Sequence, residues 1–384
     1  MSQFVFETAP KIFCEQGAAN RIGELAKQLG VTNMFFVTDK FLHDSGMLKG
    51  ALESLQAAGI KATVFSDVQA DPPEASVLAA VELARNAGVD GVVGFGGGSS
   101  MDTAKLVALL VKSPQPLPEI YGVNLAKGPR LPLIQVPTTA GTGSEVTAIS
   151  ILTTPTNEKK GVVSSYLYPD VALLDSLLTL GLPPHITAMT GVDAMVHAIE
   201  SYTSRHKKNP LSDSLAVRAL TLLFNNIRTV IKDGKNADAR EAMLLGSLFA
   251  GMAFANSPVA AVHALAYPLG GHYHLPHGLT NALVLVPVLK FNREAAAPAY
   301  AELARAILPG QNFANDLEAT DAFIEAISAM VADMPFKQDL KGNGVPESDL
   351  EMLAKDAMNV QRLLVNNPRE VTYDDALAIY RSVY

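Results

Sequence analysis

The chain has 384 residues, 48% of them apolar and 18% charged, and 30 basic against 38 acidic side chains give a formal net charge of −8. That composition is globular and not disordered, and the length suggests two domains with a core each. No basic run is long enough to track a phosphate backbone, so nucleic acid is not an expected partner. A single cysteine, Cys14, leaves no internal disulfide framework and fits a reducing compartment. No apolar run reaches the roughly 18 residues that span a bilayer, and the opening MSQFVFETAP lacks the layout of a secretory leader. A cytoplasmic protein that neither spans nor coats a membrane is expected.

Up to about Asp175, short β-branched runs alternate with helical patterns. Met34–Thr38, Ala62–Phe65, Gly91–Phe95, Leu133–Val136 and Val171–Leu174 read as strands, near-continuously apolar as in a sheet covered on both faces. Ala18–Gly30, Met47–Gly59 and Glu74–Gly88 are apolar at helical spacing, each closing at a glycine. The alternation predicts an open parallel α/β sheet. After Leu182-Pro183-Pro184 the texture becomes helical, as in Ser212–Ile231 and Ala237–Ala255, with Pro184 suited to a first helical turn. The expected division is an α/β domain over 1–183 and an all-helical domain over 184–384.

Asp39 ends the first of those strands, at the carboxyl edge where open sheets bind ligands; it reads either as a ribose-binding acid, favouring NAD over NADP, or as a helix N-cap. The run Gly94-Phe95-Gly96-Gly97-Gly98-Ser99-Ser100 follows a strand and opens a helix carrying Asp102, Thr103, Ala104 and Lys105. Glycines there let a backbone approach a pyrophosphate, and helix N-terminal amides favour its charge. The usual dinucleotide fingerprint has a third glycine where this chain has Ser99, so an ordinary tight turn is the competing reading. A second polar loop, Pro137–Glu145, offers Thr138, Thr139, Thr142 and Ser144 past another strand.

Asp193 and His197 stand four apart in a largely apolar helical stretch, Gly191–Glu200, which places both on one face. A satisfied buried pair and a metal site both explain them. Six of the chain's eight histidines fall between 197 and 277, and His263 joins His197 in an apolar helical setting. His272 and His274 lie in a glycine-rich link, and His206 sits among Arg205, Lys207 and Lys208. One carboxylate and three imidazoles, Asp193, His197, His263 and His277, make an N/O donor set suited to Fe²⁺ or Zn²⁺, and the absence of nearby cysteine argues against a structural zinc.

Jointly, Gly96–Ser99 with Asp102, Pro137–Glu145, Gly191–Glu200 and the block from His263 to Asn281 resemble the iron-containing (group III) alcohol dehydrogenase family over nearly the whole chain. The resemblance implies a Rossmann-like dinucleotide-binding domain followed by a dehydroquinate synthase-like helical domain, with the active site in the cleft between them and a homodimer as the assembly. It implies Asp193, His197, His263 and His277 as ligands, with iron usual and zinc found in some members. It implies Asp39 for NAD preference, Gly97, Gly98 and Ser99 at the pyrophosphate, and Thr138, Thr139, Thr142 and Ser144 toward the nicotinamide. A cofactor-contacting lysine falls on Lys159 by ungapped counting, with Lys160 adjacent.

The sequence departs from the family where many members carry a second histidine, four residues after the third ligand; here that residue is Tyr267. A phenol with a pKa near 10 suits a proton relay poorly, so Tyr267, His274 or solvent is left to take that role. The implied reaction interconverts an alcohol and its aldehyde or ketone, with hydride passing to or from NAD(H). The alternatives are a related cyclase resembling dehydroquinate synthase, for which basic residues near the ligands are few, and a nucleotide-binding sensor without chemistry. Phe254, Val259 and Leu265 point to a small or aliphatic alcohol, although Phe249, Met252 and Phe254 also read as core.

Overall fold

The computed structural model describes residues 3–156 and 158–384. The chain forms two compact units, Glu7–Leu180 and Gly181–Tyr384, the latter joined by the segment ending at Phe6. The junction lies at 180/181, against 183 read from texture.

The first unit contains β1 (Ile12–Cys14), β2 (Asn33–Val37), β3 (Lys61–Phe65), β4 (Gly91–Gly96), β5 (Gly122–Val123), β6 (Leu133–Pro137), β7 (Ile149–Thr153), β8 (Lys159–Val163) and β9 (Val171–Leu174). Six of them make a parallel sheet in the order β3-β2-β4-β6-β9-β1. The helices are α1 (Ile22–Gln28), α2 (Lys40–Asp44), α3 (Lys49–Ala57), α4 (Glu74–Asn86), α5 (Gly98–Lys112) and α6 (Leu117–Ile120). The five strands read from the sequence are present within a residue or two. The pattern at Ala18–Gly30 is instead a 3₁₀ turn, Ala18–Arg21, running into α1.

Side chains alternate across the sheet, and both faces are covered. Phe35, Val37 and Val92 pack into one cluster with Val77, Val81 and Leu106, while Met34, Phe36, Val93 and Phe95 pack into another with Ile22, Leu25 and Leu55. This two-sided burial is why those strands read as apolar runs and not as alternating patterns. A second sheet, β5-β8-β7, was not legible in the sequence. Its β8 opens on Lys159-Lys160-Gly161, which has no strand propensity of its own, and is set by antiparallel pairing with β7.

The strand order also fixes where a ligand binds. From β2 the chain moves outward to β3, then returns to the other side of β2 as β4 and continues to β6 and β9. The direction of winding reverses between β2 and β4, and in open α/β sheets the crevice at such a reversal, beyond the carboxyl ends, is the binding position. Asp39 follows β2, Gly97–Ser99 follow β4, and the Thr138–Ser144 loop follows the neighbouring β6.

The second unit comprises α7 (Pro184–Thr203), α8 (Pro210–Lys232), α9 (Ala237–Asn256), α10 (Ala261–Tyr273), α11 (His277–Asn292), α12 (Ala297–Ile307), α13 (Asp316–Ala332), α14 (Leu350–Ala357), α15 (Gln361–Leu364) and α16 (Tyr373–Ser382). No strand occurs in it among the described residues. Pro184 occupies the first turn of α7, as expected. Asn209, Asn236 and Asn315 cap α8, α9 and α13 through their side chains, and Thr372 with Asp375 forms a capping box on α16. α7 is buried almost all round, with α8, α9 and α11 packed about it. Asp193, His197 and Glu200 are therefore held inside a helical core, where each must find a partner. No single described helix is long and apolar enough to cross a membrane.

Candidate metal centre and cofactor loops

Asp193 and His197 project from the same face of α7, His263 is the third residue of α10, and His277 is the first of α11. Asp193, His197 and His263 are at most 4% exposed, whereas the His277 side chain is 32% exposed, so the group is open on one side only. One ligand atom from each lies within 4.8 Å of all the others. The Nε2 atoms of His197, His263 and His277 stand 3.9, 4.0 and 3.6 Å from Asp193 Oδ1. Bonds of about 2.1 Å at tetrahedral angles place ligands about 3.5 Å apart. The donor atoms thus sit only slightly wider than a divalent ion requires, and their chemistry, three imidazoles and one carboxylate, fits Fe²⁺.

Protonation states agree with that. Burial pushes His263 well below its ordinary value, with the His197 and His277 rings adding to the effect, so its imidazole is neutral. Burial works to raise Asp193, yet the three imidazoles and the Asn281 amide outweigh it and hold the carboxyl below its usual range. Neutral imidazole and ionised carboxylate are the ligating forms.

Two residues not singled out in the sequence shape this centre. Glu200 Oε2 accepts from His263 Nδ1 at 2.6 Å while its Oε1 accepts from the Val262 backbone N–H at 2.6 Å. A proton fixed on Nδ1 leaves the Nε2 lone pair facing Asp193, the orienting arrangement of ligating histidines. Burial pushes Glu200 up to about 7. Asn281 donates from Nδ2 to Asp193 Oδ1 at 2.6 Å, and that nitrogen stands 3.2 and 3.3 Å from Nε2 of His263 and His277. Both had a signal: Glu200 is three residues after His197, and Asn281 four after His277, on the ligands' helix faces. Gly278 lets α11 lie against α7, since a Cβ there would meet Met189 O at 2.3 Å.

The surroundings separate the remaining candidates. The Phe254 ring stacks on His197 at 4.3 Å and is partly exposed, so it forms a wall beside the ligands, whereas Val259 and Leu265 are core. Tyr267 lies beside His277, ring centroids 6.1 Å apart. Burial raises the Tyr267 phenol against the lowering influence of Arg362, so it is a hydroxyl that donates and not a base at neutral pH. His274 is not brought to the quartet. It is exposed, takes a left-handed backbone (φ 53°) and ends α10 with its N–H on Gly270 O.

In the α/β unit, Gly97 precedes α5, which opens at Gly98. A Cβ on Gly98 would meet Thr142 Cγ2 at 2.8 Å, while one on Gly97 would meet nothing closer than Thr139 Oγ1 at 3.6 Å. The two loops therefore touch over the first turn of α5, leaving Gly97, Gly98, Ser99, Thr139 and Thr142 partly exposed beside its free amides. Gly96, Thr138, Ser144 and the network around Asp102 lie beneath. Ser144 donates to Asp102 Oδ1 at 2.6 Å, the Ile151 N–H reaches Asp102 Oδ2 at 2.9 Å, and Lys105 Nζ contacts Ser144 Oγ, Thr147 Oγ1 and Ile149 O at 2.8, 3.1 and 2.6 Å. Asp39 caps α2, accepting from the Leu42 N–H at 3.0 Å, which leaves its second oxygen available. Lys159 pairs with Asp71 at 2.6 Å and Lys160 with Glu158.

A profile of iron-containing alcohol dehydrogenases matches residues 9–176, and one of the C-terminal part of the Fe-containing alcohol dehydrogenase family matches 187–384. The chain is 38% identical over 371 residues to long-chain-alcohol dehydrogenase 1 of Geobacillus thermodenitrificans (strain NG80-2), covering 96% of this chain and 93% of that protein. It is 39% identical over 380 residues to the sulfoacetaldehyde reductase of Bilophila wadsworthia (strain 3_1_6), covering 98% of each. The crystal structure of a 1,3-propanediol oxidoreductase superposes with a TM-score of 0.96 at 34% identity, covering 100% of both chains.

Proposed function

The chain belongs to the iron-containing alcohol dehydrogenase family, and we propose that Asp193, His197, His263 and His277 hold its ion while the loops after β2, β4 and β6 receive its dinucleotide. It is a metal-dependent alcohol dehydrogenase that interconverts an alcohol and its aldehyde or ketone using NAD(H) and iron. The cyclase alternative is not favoured, because its relatives are alcohol and aldehyde oxidoreductases.

When bound, the ion supplies Lewis acidity toward the alcohol oxygen, and the nicotinamide supplies a hydride acceptor. The chain's own contribution begins with Glu200, which holds His263 in its ligating tautomer, and Asn281, which fixes the Asp193 carboxylate. Phe254 gives the reacting end of the substrate an apolar wall against His197. Tyr267 offers a protonated hydroxyl beside His277, suited to hydrogen-bond a substrate oxygen, with release of the proton left to solvent on the open side. The amides of Gly98 and Ser99 would hold the dinucleotide's pyrophosphate, with Gly97, Thr139 and Thr142 lining the same cradle, and the Asp39 carboxylate would bind its ribose. Asp102, Thr138, Ser144 and Gly96 support that cradle from below, and Lys159 acts at its edge. Residues 1–183 and 184–384 divide the work into cofactor and metal halves. Iron is the resident ion with zinc as its competitor, and a cytoplasmic homodimer is the working form.

One observation carries the assignment: four acceptor atoms from three helices converge within 4.8 Å. The test is elemental analysis of freshly purified protein alongside an NAD- and NADP-coupled alcohol panel. Iron near one equivalent, with turnover lost on chelation and restored by Fe²⁺, is expected. Full activity in metal-free protein sinks the assignment.

A further inference from the structure

Asn281 is the fifth residue of α11, one turn beyond His277, and is fully buried. Its Nδ2 donates to Asp193 Oδ1 at 2.6 Å and stands 3.2 Å from His263 Nε2 and 3.3 Å from His277 Nε2. One amide nitrogen therefore touches ligand atoms of three members of the converging quartet. Its own carbonyl gains nothing there: Asn281 Oδ1 is buried and has no hydrogen-bond partner among the described residues.

The chemistry of those neighbours fixes which way round the amide sits. Asp193 Oδ1 is an acceptor, and the proton that Glu200 holds on His263 Nδ1 makes His263 Nε2 an acceptor too. An amide oxygen turned toward them would meet lone pairs, whereas the nitrogen brings two hydrogens, one for Asp193 and one for the space between the imidazoles. The buried, unpaired carbonyl is a cost that a leucine of similar shape would avoid. It is offset where the acceptors would otherwise lie buried without a donor, which is their condition before the protein takes up an ion. A bound ion claims the single lone pair of each imidazole nitrogen, while a carboxylate oxygen keeps a second one for the amide.

Resting on the quartet being the metal centre, we propose that Asn281 is a placeholder for the ion. Its amide holds Asp193, His263 and His277 in register in ion-free protein, and it gives up the two imidazoles when an ion enters. Asn281 is a positioning residue that acts through the ligands and favours the ion-free form over the loaded one. Removing the amide therefore tightens metal binding, whereas removing a support of the loaded site weakens it.

The test compares wild type with Asn281→Leu, each stripped of metal and then titrated with Zn²⁺ and, without oxygen, with Fe²⁺ in competition with a chromophoric chelator. Asn281→Leu is expected to bind both ions about tenfold more tightly or better. Its ion-free form should unfold at least about 3 °C below ion-free wild type, with the loaded forms differing by less than half as much. Weaker binding by the variant, or an ion-free Tm equal to that of wild type, overturns the proposal. Should Asn281→Leu fold poorly, crystals of wild type grown ion-free and with Zn²⁺ decide. Asn281 Nδ2 is expected within hydrogen-bond distance of both imidazole Nε2 atoms before loading and out of reach of them afterwards, and an unmoved amide overturns the proposal. Wild type that takes up neither ion refutes the quartet as a metal centre, and the placeholder with it.

Discussion

Two buried polar clusters, one in each unit, are built oppositely. In the α/β unit a fully buried ammonium, Lys105 Nζ, is surrounded by Asp102, Ser144, Thr147 and the Ile149 carbonyl. Burial lowers the Lys105 pKa against the pull of Asp102, but the cation has its oxygens and the cluster is complete within the chain. In the helical unit one carboxylate and three imidazoles turn acceptor atoms toward a common point, and the Asn281 amide reaches in among them. A buried cluster that carries its own cation is structural, whereas one that gathers lone pairs around a point is completed from outside.

The contrast can be broken at its strongest point first. His263→Ala is expected to lose iron and to lower kcat/KM by at least about a thousandfold, because three donors and a freed Glu200 no longer close the site. Iron content measured beside turnover checks this, and a variant retaining both removes the distinction between the clusters. Lys105→Met should show the opposite signature, destabilising the protein by about 3–5 kcal/mol in denaturant unfolding, since it strands buried oxygens around an apolar side chain. An iron loss without a stability loss there contradicts the structural reading.

Glu145 sharpens the picture of the first cluster. Burial pushes its carboxyl up to about 7, with Lys105 pulling the other way. The unfolded chain ionises near 4.3, so the folded protein keeps a proton that the unfolded chain releases, and stability falls as pH rises from about 4.5 to 7. Glu145→Gln cannot ionise and should gain on wild type by up to about 3 kcal/mol across that window. Unfolding curves at pH 4.5 and 7.5 measure it, and a difference independent of pH rejects the shifted carboxyl. The smallest effect is expected at Asp39. Asp39→Ser preserves an N-cap on α2 but removes the carboxylate, so KM for NAD should rise about tenfold, worth about 1.4 kcal/mol, with NADP better used. Unchanged cofactor preference would leave Asp39 as a cap only.

How much was legible differs between the units for a physical reason. The central strands and the glycine turn are local objects: a strand buried on both faces is an apolar run, and a phosphate cradle needs glycines beside a helix start. Asp193 and His197 were visible by helical spacing, and His263 and His277 by composition. β8 escaped because Lys159-Lys160 carries no strand pattern and its conformation comes from pairing with β7. His274 drew attention by proximity in sequence, yet the end of α10 turns it to solvent.

The sequence by itself determined that a parallel α/β unit precedes a helical one, that a glycine turn opens a helix at the sheet's carboxyl edge, and which four residues are rich in ligand chemistry, because periodicity and residue type are properties of neighbours along the chain. Only the tertiary structure decided that Glu200 sets the tautomer of His263, that Asn281 holds Asp193, and that Ser144 bridges Asp102 and a buried lysine. Those relations join residues from 39 to 88 positions apart, and side-chain partnerships over such separations exist only once the helices and strands have packed.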